Sequence, residues 1–208
     1  MAEAPPAPPF AADAFGAALP LAERYAAILV SRGVEWGLLG PREAERVWGR
    51  HVLNSLAVAD DVPAGASVVD VGSGAGLPGI PLALARPDLR VTLLEPLERR
   101  AAFLQSAVAE LGLENRVRVV RGRAENHLEH YDAVVCRAVA PLSRLLGWTS
   151  PLFLPGGRLV ALKGASAAAD LKRAAADLRR LQARGRVREI RLPPDAEPTY
   201  VVVVTPAR

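Results

Sequence analysis

Cysteine is almost missing from this chain, and lysine, methionine and histidine are scarce. The single cysteine, Cys136, excludes an internal disulfide and any thiolate metal cage, and His51, His127 and His130 are the only imidazoles. The first twenty residues have neither a basic segment nor a continuous apolar core, and no apolar run approaches the roughly 18 residues that span a bilayer. These absences give the expectation of a reduced, cytoplasmic protein without metal, neither exported nor membrane-embedded. No patch argues for a dimer, so a monomer is expected.

What is present is arginine. Lys163 and Lys172 are the only lysines among 26 cationic residues, and the formal charge is +4. A pI near 9.8 suits a polyanionic partner, because guanidinium forks match phosphates and guanine edges, although a codon bias toward Arg, Ala and Pro accounts for it equally well. With 208 residues, half of them hydrophobic, the chain has enough material for one α/β domain and a helical extension. Residues 1–18, rich in Ala and Pro, read as a disordered tail; 19–62 as the helical extension; 63–208 as the main domain.

The densest signal runs from Val68 to Pro87. Val68, Val69 and Val71 read as a buried parallel strand, Gly72, Gly74 and Gly76 as a turn open to close ligand approach, and a helix starting near Leu77 offers unpaired N–H groups. Two cofactor patterns overlap here. Gly74, Gly76 and Gly79 form a G-x-G-x-x-G that fits a dinucleotide, whereas Asp70, Gly72, Gly74 and Gly76 form the D-x-G-x-G-x-G of S-adenosylmethionine (SAM) enzymes.

Helices are expected over Leu21–Arg32 and Pro41–Ala59, followed by alternating strands and helices. The strands read as Ser67–Val71, Arg90–Glu95, Arg116–Arg121, Tyr131–Arg137, Gly157–Lys163, Val187–Leu192 and Tyr200–Thr205; one long helix covers Ala165–Arg184. That pattern predicts a mostly parallel seven-stranded sheet with an antiparallel last strand and helices on both faces, which resembles the Rossmann-like class I SAM methyltransferase architecture. The Pro155-Gly156-Gly157 turn before the fifth strand also looks like those enzymes.

Glu95 ends the second strand, 19 residues after Gly76, where a carboxylate accepts both ribose hydroxyls of an adenosine. Ala124 and Glu125 follow the third strand, at the position that contacts adenine in methyltransferases. At the end of strand four, Cys136 lacks the Pro-Cys of a cytosine methylase, and no Asn-Pro-Pro-aromatic turn is present. Cys136 therefore reads as a small buried residue. An acceptor with its own lone pair, such as guanine N7, needs alignment rather than a base, which leaves Arg137 to position it.

Arg50-His51-Val52-Leu53-Asn54-Ser55, the stretch from Val69 to Pro81, Cys136-Arg137-Ala138 with Ala140, and Ala161-Leu162-Lys163-Gly164 together resemble the ribosomal small-subunit methyltransferase G family. The resemblance covers about residues 33–204. It implies SAM-dependent N7 methylation of one guanosine in 16S rRNA, on the naked RNA or the small ribosomal subunit. It carries cofactor contacts to Gly72, Leu77, Ala124, Glu125 and Arg137, with Glu95 as the ribose acid. His51, Asn54, Ser55 and Lys163 are candidates for RNA contact. Two positions depart from the family: Asn54 replaces an Asp, and Trp36-Gly37-Leu38-Leu39 replaces an Asn-Leu-Thr. The alternatives are a SAM methyltransferase for a small molecule, an NAD-linked reductase and a non-enzymatic RNA-binding module.

Overall fold

Valine- and leucine-rich runs that alternate with alanine-rich helices build a seven-stranded sheet, and the order of its strands fixes where a ligand sits. The computed structural model describes residues 3–137, 140–194 and 196–207. Strands β1 (Ser67–Val71), β2 (Arg90–Glu95), β3 (Val117–Arg121), β4 (Ala133–Arg137), β5 (Arg158–Lys163), β6 (Ala183–Ile190) and β7 (Thr199–Pro206) lie in the order β3-β2-β1-β4-β5-β7-β6. The first five are parallel, and β7 lies antiparallel between β5 and β6. Chain order reverses between β1 and β4, so the crevice beyond their carboxyl ends is the switch point where open α/β sheets bind ligands.

Helices α1 (Pro9–Phe15) and α2 (Leu19–Ile28) come first, and an irregular helical segment follows from Pro41 to Asp61. Helices α3 (Gly79–Ala85) and α4 (Glu98–Glu110) join them on one face of the sheet; α5 (Leu142–Phe153), α6 (Ala167–Arg173) and α7 (Ala175–Arg180) cover the other. Period-two alternation sorts the strand side chains between two cores. Val68, Leu93, Val135 and Val160 point to the first, with Tyr25, Leu53 and Phe103. Val69, Leu94, Val134 and Leu159 point to the second, with Leu145 and Phe153. Each such side chain contributes about 1.5–3 kcal/mol by leaving water.

Three expectations change. The segment read as a disordered tail contains α1, whose Ala11 and Phe15 are buried against the first core, so the helical layer starts at Pro9 and shares one core with the sheet. The helix expected over Ala165–Arg184 breaks at Ala174 and ends by Arg180; Gln182, at φ 50°, turns the chain into β6 four residues earlier than composition suggested. The 25-residue run Pro9–Gly33 is long and apolar enough by length and composition to cross a membrane, contrary to the expectation that no run reaches that length. In the fold Ala22, Tyr25, Ala26, Ile28 and Leu29 of this run are buried in the first core, as in the core helix of a folded domain.

Candidate active site

The glycine turn after β1 owes its shape to backbone angles that side chains resist. Gly72, Gly74 and Gly76 have φ of 70°, 59° and 98°. A Cβ on Gly76 would sit 2.5 Å from Ile80 Cδ1 and 3.0 Å from the Tyr25 hydroxyl, and one on Gly79 would lie 2.7 Å from Asp70 Oδ2. Asp70 Oδ2 accepts hydrogen bonds from Ser73 Oγ at 2.7 Å and Gly79 N at 3.0 Å, tying the turn to the start of α3. From α2, the Tyr25 hydroxyl donates to Ala75 O at 2.8 Å.

Asp70 was expected among the cofactor contacts, but it lies wholly buried beneath the turn and lines neither adjoining cavity. Its work in the fold is to hold the loop. Burial pushes its carboxyl up to about 7 against the hydrogen bonds from Ser73 and Gly79, and Oδ1 has no partner among the described residues.

Two cavities flank the turn and share Gly72. One of about 190 Å³ is lined by Val71, Leu94, Pro96, Gly122 to Glu125 and Trp148, so Ala124 and Glu125, just after β3, both face it. The other, of about 260 Å³, is lined by Ser73, Gly74, Ala75, Leu77, Leu38 to Gly40, Glu43, His51 and Arg137. Glu95 is buried, 2% exposed, and lines neither cavity, but it bonds the backbone of the turn between them. Its Oε2 accepts from Gly74 N at 2.9 Å and its Oε1 from Leu97 N at 3.1 Å, which leaves lone pairs on both oxygens for further donors.

Arg137 closes the second cavity from the end of β4. Its Nη2 donates to His51 Nδ1 at 2.9 Å, and His51 Nε2 lies 2.9 Å from Glu43 Oε2. A guanidinium has only donors, so Nδ1 accepts and the proton of a neutral imidazole sits on Nε2, where it is donated to Glu43. Burial, together with the Arg137 charge, lowers the His51 pKa to about 4, despite the opposing pull of Glu43. The Arg137 Nη1 is buried and unpartnered among the described residues. The chain Glu43–His51–Arg137 thus fixes one edge of the guanidinium and leaves donor capacity on the other.

The remaining sequence candidates separate. Ser55 is fully buried and its hydroxyl donates to His51 O at 2.6 Å, so it braces the helical segment and presents nothing to a ligand. Asn54 follows His51 on the same segment but lines neither cavity. Lys163, expected as a phosphate contact, pairs with Asp170 at 2.9 Å and also donates to Ala140 O, while Asp170 accepts from Leu142 N; its ammonium is spent inside the fold. Burial pushes the Cys136 thiol up to about 12, which fits a packing residue and not a nucleophile. Ala138 of the Cys-Arg-Ala motif lies outside the described residues. Glu43, Tyr25 and Trp148 were not singled out from the sequence. Glu43 sits eight residues before His51, a separation of about 12 Å in a straight α-helix. A bend at Arg46 (φ −105°, ψ 9°), between a tight turn and a wide one, brings the two together.

Solved structures similar to this one include methyltransferases. The B. subtilis M1A22 tRNA methyltransferase TrmK superposes with a TM-score of 0.60 at 16% identity, over 74% of this chain and 65% of that one. A SAM-dependent O-methyltransferase from Thermotoga maritima gives 0.57 at 22%, with the same coverage. Identities this low speak for the fold alone. The relatives go further. Ribosomal RNA small subunit methyltransferase G of Mycolicibacterium gilvum is 55% identical over 176 residues, 82% of this chain and 77% of its own. The protein of the same name from Salinispora tropica is 58% identical over 175 residues, 80% and 72% of the two chains. The family model described as rRNA small subunit methyltransferase G matches residues 18–188, and with relatives this similar over most of both chains, this protein belongs to that family.

Proposed function

We propose that the protein transfers the methyl group of SAM to N7 of a specific guanosine in 16S rRNA, in the cytoplasm. The observation that carries the reading is Arg137, anchored through His51 and Glu43 with Nη1 unpaired among the described residues, at the carboxyl end of β4 beside the glycine turn. The family's printed name supports RNA of the small subunit as substrate.

The residues present fit the cofactor. The turn of Gly72, Gly74 and Gly76 keeps a shape that a Cβ at Gly76 would distort by clashing with Ile80 and Tyr25, and Glu95, bonded to the turn at Gly74 N, keeps acceptor capacity for a ribose diol. Gly72, Gly74 and Leu77 would hold the amino-acid end, and Ala124 and Glu125 the adenine in the smaller cavity. Bound SAM supplies an electrophilic methyl group on a sulfonium. Guanine N7 carries an in-plane lone pair that is unprotonated at neutral pH, so the protein needs to align it and exclude water rather than remove a proton. Arg137 does not donate to the attacking nitrogen; it orients guanine O6, a flanking phosphate or the cofactor carboxylate. The neutral His51 keeps that guanidinium in one rotamer.

The deciding experiment incubates the protein with radiolabelled SAM and unmodified small ribosomal subunits or naked 16S rRNA, followed by nucleoside analysis. Label in 7-methylguanosine is expected. Cofactor binding without transfer to RNA would move the assignment to a small-molecule acceptor.

A further inference from the structure

Far from the glycine turn, at the amino edge of the sheet, two arginines pair with one carboxylate and two more stand beside them. Asp61 ends the irregular helical segment with its side chain only 2% exposed. Arg186 Nη2 reaches its Oδ1 at 2.8 Å, Arg188 Nη1 reaches its Oδ2, and Arg158 Nη1 donates to its backbone carbonyl at 3.2 Å. Arg184, Arg186 and Arg188 alternate along β6 and so share a face, which is the face of their β7 partners Thr205, Val203 and Val201. Arg158, one residue before Leu159 in the register of β5 with β7, joins them at the row of Thr205. Arg158, Arg184, Arg186, Val203 and Thr205 line a cavity of about 470 Å³.

The charges here do not balance. Four guanidiniums face two carboxylates, and both oxygens of Asp61 are occupied by Arg186 and Arg188, with Asp60 reaching only Arg188 at 3.6 Å. Arg158 and Arg184 have no ion-pair partner among the described residues; Arg184 makes one bond, from Nε to Thr205 Oγ1 at 3.3 Å. Like charges assembled by a buried acid, with forked donors unspent, suit an anion with several oxygens.

We propose that Arg158, Arg184 and Arg186 form a binding site for the sugar-phosphate backbone of the substrate RNA, remote from the nucleotide that is methylated. The occupant rests on the rRNA methyltransferase reading. Strands of five to eight residues separate this cavity from the carboxyl edge, about 17–26 Å at strand rise, a distance that a folded RNA spans with successive phosphates. The site supplies affinity and register but no base identity.

The test uses the full chain carrying both Arg158→Gln and Arg184→Gln, which leaves the Asp61 pairs intact; Arg186→Gln alone would strand a buried carboxylate and confuse folding with binding. Binding of naked 16S rRNA is measured from 50 to 300 mM KCl, with SAM affinity and melting temperature as controls. The expected result is a loss of RNA affinity of about tenfold at moderate salt and a salt slope shallower by about 1–2, with SAM affinity unchanged. Arg184→Lys, which keeps the charge, is expected to retain most of the slope. Unaltered RNA affinity and slope in a folded double variant would overturn the proposal and leave the arginines as protection for an edge strand. Inorganic phosphate that saturates the cavity without competing with RNA would also overturn it, in favour of a small-anion site. If the wild type binds RNA, the double variant weakens that binding as expected, and neither methylates RNA, the functional reading fails while an RNA-backbone site at these arginines stands.

Discussion

The glycine turn and the Pro41–Asp61 helical segment face each other across one cavity and are built in opposite ways. The turn offers backbone groups, set by φ values that only glycine adopts freely and held from beneath by Asp70. The helical segment offers side chains, Glu43 and His51, carried on an irregular helix whose bend decides where they meet. A backbone-made wall has little tolerance for an added carbon. A side-chain wall tolerates shape change but depends on donor and acceptor matching. One protein therefore carries two kinds of fragility in a single site.

Removing the group between the two walls should have the largest effect. Arg137→Ala is expected to lower kcat by about 10²–10³, in the range seen for loss of a transition-state donor, while SAM affinity and the melting temperature stay close to the wild type. Single-turnover methyl transfer with calorimetric SAM binding reads both, and an unfolded variant would count against a role at the site.

Next comes the backbone wall itself. Gly76→Ala forces a Cβ to within 2.5 Å of Ile80 at φ 98° and is expected to destabilise by about 2–4 kcal/mol, read from urea unfolding. The variant should lose cofactor binding in step. Retained affinity at full stability would show that the turn is less constrained than its geometry says.

The side-chain wall is tested by matching. His51→Ala should lower kcat about 10–100-fold with RNA affinity intact, and His51→Gln, whose amide presents one acceptor and one donor, should recover much of it. A change in RNA affinity alone would make His51 an RNA contact.

Acid should distinguish the same wall. His51 titrates near 6.5 when unfolded and about 4 when folded, so the unfolded chain takes up the proton first. Its contribution is complete above pH 6.5 and is lost as pH falls toward 4, within a setting of Glu43 and Arg50 on its own segment and Arg137 on β4. Thermal melts across that window should decline more steeply in the wild type than in His51→Gln.

The smallest effect belongs to a glycine on the helical segment. A Cβ on Gly49 meets nothing within 4 Å, so Gly49→Ala should be neutral or stabilise by about 0.4–1 kcal/mol, in contrast with Gly76→Ala.

The same contrast explains what could be read from the sequence. The turn is local: Asp70, three alternate glycines and Glu95 at the next strand end are spaced by the fold's own repeat, so their meeting follows from β-strand geometry. Six of the strands were equally plain from their apolar runs, whereas β6, with one valine among arginines, was placed only from Val187 onward. Glu43 was not, because no regular helix brings residues eight apart together, and the bend at Arg46 carries no glycine or proline to announce it. Helix α1 was missed because Ala and Pro dominate its surroundings; what orders it is the tertiary burial of Ala11 and Phe15. Lys163 and Ser55 were placed at the correct elements, and only their partners, Asp170 and the His51 carbonyl, reveal that neither faces a ligand.

Asp61 also bears on how this chain is made. Arg186, which caps its Oδ1, follows it by 125 residues, and Arg188 comes two residues later still. At about 5–20 residues per second, the acid emerges from the ribosome roughly 6–25 s before its partners exist. Until then the carboxylate stays hydrated while the apolar core it borders can already form on the earlier strands. Strand β6 thus supplies the last polar fastening of the helical segment, and a chain released too early keeps Asp61 unpaired.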